Sequence, residues 1–321
     1  MPVLNQQGNG MCYAYAAAQL ANYQLIKSGS ASSPEVDPAW TALLYAEVSN
    51  ERDFRGGITA TALNALAARN NCDGDILRSA ISARARIAGV TEAKFLKFID
   101  DYAKSLRGQS GSANERRLRA INEAGAMNPQ CPLANWRRVG GLPEFFQNDS
   151  ASILGHLLAS ACSERNLKKL NLPRLQTMRQ GDDSEFEEEI HAALTRGNPV
   201  AATFCSWATD RPHTTPPRYV TTGPRRYRQS LVDEKTCGTH IALFVGQKTI
   251  RGECNFLYRN SRGTSWYKDI RHLTCLCRDQ RTDQTVDDCR YSTHNTPRYQ
   301  VEACWVPRST LVPNIFDLNH Y

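Results

Sequence analysis

A chain of 321 residues is long enough for one large domain or two lobes of moderate size. With 41% hydrophobic and 22% charged residues it has ordinary soluble usage, which excludes a disordered chain, a collagen and a coiled coil. The net charge of +7 comes from 39 Lys and Arg against 32 Asp and Glu in scattered small clusters, Arg116-Arg117, Arg137-Arg138 and Arg225-Arg226. This favours acidic partners weakly and does not mark a nucleic-acid binder, which would show a basic stripe interleaved with aromatics.

The first twelve residues are polar and glycine-rich, unlike a signal peptide, and no apolar run reaches the roughly 18 residues that cross a bilayer. Cys12 to Ile26, rich in Ala, Tyr and Leu and free of Pro and Gly, predicts a long buried helix with Cys12 at its N-terminal end. A Ser/Pro loop from Ser28 to Pro38 follows. Next come a helix Pro38 to Val48, a turn through Arg55-Gly56-Gly57, and a helix Ile58 to Arg69. From Asp75 to about Asn171 the pattern stays helical, broken at Gly108 to Ser112 and Asn128 to Pro132, and reads as an inserted region. Ser184 to Arg196 predicts a helix stopped by Gly197-Asn198-Pro199, leading into a strand Val200 to Phe204. The Pro-rich, basic stretch Arg211 to Gln229 reads as a long surface loop. Strands follow at His240 to Gly246 and Asn255 to Asn260, then a Cys-bearing tail after Trp266. Helices first and strands second predict an α+β class with two segregated lobes and a cleft between them. The expected divisions are 1–74 (helical lobe), 75–182 (helical insertion), 183–270 (β-rich lobe) and 271–321 (C-terminal extension).

Eleven cysteines, an odd number, leave at least one thiol outside any fully paired set; if one is a nucleophile, ten remain for pairing. That density points to an oxidising compartment and so to a secreted or otherwise extracytoplasmic protein whose signal or pro-segment precedes this numbering. In the tail, Cys275-x-Cys277, Cys289, His294 and Cys304 suit structural disulfides better than zinc, because Cys-x-Cys is tighter than usual zinc spacing. Asn148-Asp149-Ser150 is a formal glycosylation sequon.

Three strings carry chemistry. In Asn5-Gln6-Gln7-Gly8-Asn9-Gly10-Met11-Cys12, a thiol at a helix N-terminus meets unpaired backbone N–H groups that stabilise a thiolate. Gly10 lets substrate approach, and Gln6 can offer its amide to an oxyanion. A lone cysteine opening an Ala-rich helix is otherwise a small core residue. In Cys237-Gly238-Thr239-His240-Ile241-Ala242, a histidine opens an apolar strand, where it is either a base facing a cleft or a satisfied core histidine. In Tyr258-Arg259-Asn260-Ser261-Arg262-Gly263-Thr264-Ser265-Trp266, Asn260 ends the next strand, able to accept a hydrogen bond from the ring; alone it is a turn signal.

Together the strings resemble the papain-like (C1) cysteine peptidases, in the order Cys, His, Asn. The residues in matching places are Asn5-Gln6, Gly10, Cys12, Ala14, His240, Gly246, Asn260-Ser261, Gly263 and Trp266; Arg55-Gly56-Gly57 resembles the family's substrate-pairing Asn-Gly-Gly turn. The resemblance covers roughly residues 1–70 and 185–270. It implies the papain-like two-lobe fold and peptide-bond hydrolysis through a Cys12 thiolate and His240 imidazolium, with Asn260 orienting the ring and Gln6 holding the oxyanion. It further implies substrate contacts at Gly10, Gly56, Gly57, Thr239, Ile241 and Trp266. No metal or organic cofactor is implied. The implied partners are a protein or peptide substrate and a pro-segment or protein inhibitor, with a monomer expected.

Several residues depart from the pattern. Asn9 stands where the family has a cysteine, Tyr13 where it has Trp, and Ile241 where it has a small residue, which narrows the pocket for the substrate's second side chain. Arg262 replaces the Trp that shields the His–Asn bond, which predicts a wetter and weaker bond. Cys12 and His240 are 228 positions apart against roughly 130 to 150 in the family, so about ninety extra residues need a place, most of them between Asp75 and Gln180. Two other readings stay open: an inactive papain-like peptide-binding module, and another thiol hydrolase such as an amidase or a transglutaminase-like enzyme.

Overall fold

The computed structural model describes residues 11–32, 35–49, 56–107, 109–129, 162, 167–179, 181–205, 219–222, 225–228, 239–261, 273–289 and 299–321. The fold is α+β, with a helical unit ending at Leu172 and an antiparallel sheet unit running from Pro173 to Tyr321.

The helical unit is built around α1 (Cys12–Lys27), whose Ala-rich run presents no polar stripe and is buried from Tyr13 to Asn22 and again at Gln24 and Leu25. The polar Asn22 is satisfied by the following loop: its Oδ1 accepts from the N–H groups of Glu35 (2.8 Å) and Val36 (2.7 Å), and its Nδ2 donates to the Val36 carbonyl at 2.8 Å. The next residue, Asp37, caps α2 (Pro38–Ser49), accepting from Ala39 N at 2.8 Å, while Pro38 takes the first helical position, where no N–H is needed. Helix α3 (Thr59–Ala68) buries Ala60, Ala62, Leu63, Ala65 and Leu66. Strand β1 (Asn70–Cys72) pairs antiparallel with β2 (Leu167–Lys169), and a Cys72–Cys162 disulfide closes the intervening chain. Between them lie α4 (Gly74–Ile87), capped by Asp73, then α5 (Glu92–Arg107) and α6 (Ala113–Met127), which opens on a Ser112/Glu115 capping box. Phe95, Phe98, Ile99 and Tyr102 of α5 are buried, as are Ala120 and Ala124 of α6.

The sheet unit begins with β3 (Gln176–Met178) and α7 (Asp183–Thr195), whose Asp182/Glu185 capping box starts it where the sequence predicts. Then come β4 (Val200–Cys205), β5 (Tyr219–Thr222), β6 (Arg225–Arg228), β7 (Thr239–Ile250), β8 (Glu253–Arg259), β9 (Thr274–Asp279), β10 (Thr285–Cys289) and β11 (Tyr299–Pro307). A short α8 (Arg308–Leu311) and a 3-10 turn lead into β12 (Ile315–His320). Eight strands form one sheet in the order β10-β9-β11-β8-β7-β4-β12-β3. One face of it carries Val200, Ala202, Phe204, Ala242, Phe244, Phe256 and Tyr258, and packs with Phe186, Ile190 and Ala193 of α7 into a continuous core. Alternation along each strand sends these residues to one side, which is why a single helix can cover them.

Three expectations need correction. The stretch Arg211 to Gln229 is not loop throughout, because β5 and β6 pair within it as a separate two-stranded sheet. Residues 271–321 are not an extension: β11 lies between β9 and β8, and β12 between β4 and β3, so the tail completes the sheet. The division expected after residue 182 falls after Leu172, and α4 to α6 belong to the same unit as α1 to α3.

Candidate active site

Cys12 is the first residue of α1, half-buried, in a helix that is otherwise interior. Met11 has no side-chain cap, and its carbonyl accepts from Ala14 N (3.0 Å) and Tyr15 N (3.1 Å), which starts the helix ladder. No acidic residue occupies the first turn, so no carboxylate there offsets the positive end of the helix beside the Cys12 sulfur. Such a terminus favours an anion, and a thiolate is one. The next side chain, Tyr13, is buried against Tyr45 with ring centroids 4.6 Å apart. Gly57 backs onto the same ring: a Cβ there would lie 2.8 Å from Tyr13 carbons. Gly56 has φ +69°, in the left-handed region where glycine is at ease. The turn at Gly56-Gly57 is thereby tied to the helix that presents Cys12.

In the sheet unit, the register brings His240 and Asn260 together. Leu243 pairs with Arg259 across β7 and β8, so Asn260, one residue beyond β8, falls on the same face as His240 as a diagonal neighbour. His240 Nε2 lies 2.8 Å from Asn260 Oδ1. An amide oxygen only accepts, so Nε2 carries the proton and donates, which leaves Nδ1 as the ring atom that can take or give one. His240 is 2% exposed and Asn260 is fully buried, so the bond is dry, contrary to the expectation of a wetter one. Opposite His240 on β4 stands Phe204, whose ring meets the imidazole edge-on at 5.8 Å. Phe204 escapes a reading of the sequence because the pairing of β4 with β7 joins distant segments; only its place in an apolar strand is legible.

The remaining candidates divide cleanly. Ile241 is buried on the opposite face, across from Thr203. Thr239 begins β7 at the register position of Cys205. Gln6, Gly10 and Trp266 lie outside the described residues, as do Asn9, Arg262 and the sequon at Asn148. Cys275 and Cys304 face one another across β9 and β11 and form a disulfide, and Cys205 and Cys277 each take part in a disulfide of their own. Cys254 keeps its thiol, as Cys12 does, so the count of ten paired cysteines does not hold. Burial, and next the nearby Glu187 carboxylate, push the Cys254 thiol above its ordinary pKa and away from the reactive thiolate. Among the described residues no cluster of metal-ligating side chains occurs, and no helix is long and apolar enough to cross a membrane.

No protein-family model matches the chain, and no curated protein does. Among solved structures, xylellain, a cysteine protease from Xylella fastidiosa, is similar at 14% identity and TM-score 0.46, over 100% of this chain and 82% of that one. Digestive procathepsin L 3 of Tenebrio molitor larval midgut is similar at 12% identity and TM-score 0.40, over 96% of this chain and 66% of that one. Likeness of this degree says nothing about activity.

Proposed function

We propose that the chain is a papain-like cysteine peptidase that hydrolyses peptide bonds through Cys12, His240 and Asn260. The observation that carries the reading is the buried 2.8 Å bond from His240 Nε2 to Asn260 Oδ1, which fixes the tautomer and aims Nδ1 away from the amide. A buried imidazole N–H needs an acceptor in any fold; what supports the catalytic reading is that the acceptor is the amide at the end of the neighbouring strand, in the order Cys, His, Asn. In the proposed cycle Nδ1 takes the Cys12 proton, and the thiolate attacks the scissile carbonyl to give a tetrahedral oxyanion. The Cys12 backbone N–H and the Gln6 side-chain amide hold that oxyanion. Collapse expels the amine, protonated by His240, and leaves a thioester; water activated by the same ring then releases the acid and restores the thiol. Gly10, Gly56, Gly57, Thr239, Ile241 and Trp266 are the proposed substrate contacts. The disulfides fit an oxidising compartment and an exported protein.

The test is labelling of folded protein with an epoxide or vinyl-sulfone thiol probe, with mass mapping of the adduct, alongside hydrolysis of fluorogenic peptides. Labelling at Cys12 is expected to outrun labelling at Cys254, and Cys12→Ala to abolish hydrolysis. His240→Ala is expected to cost about 10²- to 10⁴-fold in kcat, and Asn260→Ala less, since the ring remains but is no longer oriented. Adducts at Cys254 alone, or none, would overturn the assignment in favour of a binding module.

A further inference from the structure

The end of β4 brings a residue to the imidazole that the proposed chemistry does not use. Phe204 and His240 are direct register partners, so both side chains leave the sheet on one face. The Phe204 ring is fully buried and stands at 81° to the imidazole. It is lodged against two more buried rings, Tyr258 with centroids 5.7 Å away and Phe244 at 6.1 Å. Tyr258 precedes Asn260 by two residues and so shares its face of β8. One aromatic group therefore backs the phenyl ring and adjoins the strand end that carries the amide. In a close-packed interior a ring confined in this way has little room to withdraw.

This bears on the orientation of His240. Half a turn about its χ2 puts Cε1 where Nε2 was and Cδ2 where Nδ1 was, so only one of the two orientations sets Nε2–H on Asn260 Oδ1. The phenyl ring borders the imidazole closely enough to resist that turn. It also presents only carbon and hydrogen, so the side facing Phe204 offers the imidazole N–H no rival oxygen acceptor.

We propose that Phe204 is a positioning residue: its ring, wedged against Phe244 and Tyr258, holds the His240 imidazole in the orientation that donates Nε2–H to Asn260 and leaves Nδ1 for proton transfer. The catalytic use of that orientation rests on the peptidase reading, whereas the positioning itself stands on the sheet alone. Phe204 acts through His240.

Two readouts test the proposal, and they fail separately. The first follows the His240 Nε2 proton by nuclear magnetic resonance of the full chain labelled with ¹⁵N-histidine, whether or not the protein hydrolyses peptides. In the parent this proton is expected to exchange slowly with water. Phe204→Leu, which keeps apolar volume but loses the flat wall, should exchange it about tenfold faster, and Phe204→Ala faster still. The second readout is peptide hydrolysis. Phe204→Leu should lower kcat about tenfold with KM unchanged, and Phe204→Ala about a hundredfold, as expected when a reacting group is misplaced rather than lost.

A double-mutant cycle separates positioning from general damage. In an Asn260→Ala background the orientation is already lost, so Phe204→Leu should cost little further kcat; a merely structural loss would repeat its full factor there. Unchanged proton exchange in both folded Phe204 variants, or additive losses of kcat in the cycle, would overturn the proposal. If Phe204→Ala does not fold, Phe204→Leu decides alone. A parent that never hydrolyses peptides, yet whose Nε2 proton responds to the Phe204 variants, would overturn the peptidase reading and leave the positioning intact.

Discussion

At the scale of single residues, the proposed chemistry rests on four side chains, those of Cys12, His240, Asn260 and Gln6, while other polar groups are buried for the sake of the fold. Asp37 is the clearest case. Burial raises its carboxyl above the ordinary range, and the N–H groups of Ala39 and Trp40, with the Arg78 charge, only partly offset this. A carboxyl with a raised folded pKa binds its proton more tightly when folded, so its contribution to stability falls as pH rises from about 4 through the raised value. Asn keeps the capping oxygen and removes the charge. Asp37→Asn is therefore expected to flatten this part of the stability profile and leave the protein no less stable at about pH 8, measured by urea unfolding across pH. A variant less stable than the parent at both ends of the range would show that the ionised carboxylate is itself needed.

At the scale of elements, α1 and the Gly56-Gly57 turn form one piece. The Tyr13 ring fills the space a side chain at position 57 would need and packs in turn on Tyr45. Interior packing gives little under added atoms. Gly57→Ala is expected to destabilise by about 1–3 kcal/mol in chemical denaturation, because the ring must shift or the turn must open. An unchanged unfolding midpoint would mean that the turn is not tied to the helix.

At the scale of the whole molecule, the last 23 residues matter more than their position suggests, since residues 299–321 supply two interior strands of the eight. Removing them parts β8 from β9 and β4 from β3, and takes Val301, Cys304, Val306, Ile315 and Leu318 from the core. A chain ending at residue 298 is expected to lose its cooperative unfolding transition, followed by circular dichroism and denaturant titration. A soluble, cooperatively folding truncation would return this segment to the status of an appendage.

Local patterns determined much of this protein. The Ala-rich run after Cys12, the helix stop at Gly197-Asn198-Pro199 and the apolar strand after His240 all depend on neighbouring residues, and α1, α7 and β7 begin within a residue or so of where the pattern puts them. The candidacy of His240 and Asn260 was legible as well. Their bond was not, because it depends on the register of β7 against β8, and neither were the Phe204 contact or the insertion of β11 and β12 among earlier strands. Strand order is decided by which apolar faces bury one another across long sequence separations, a competition among distant segments that no local window contains.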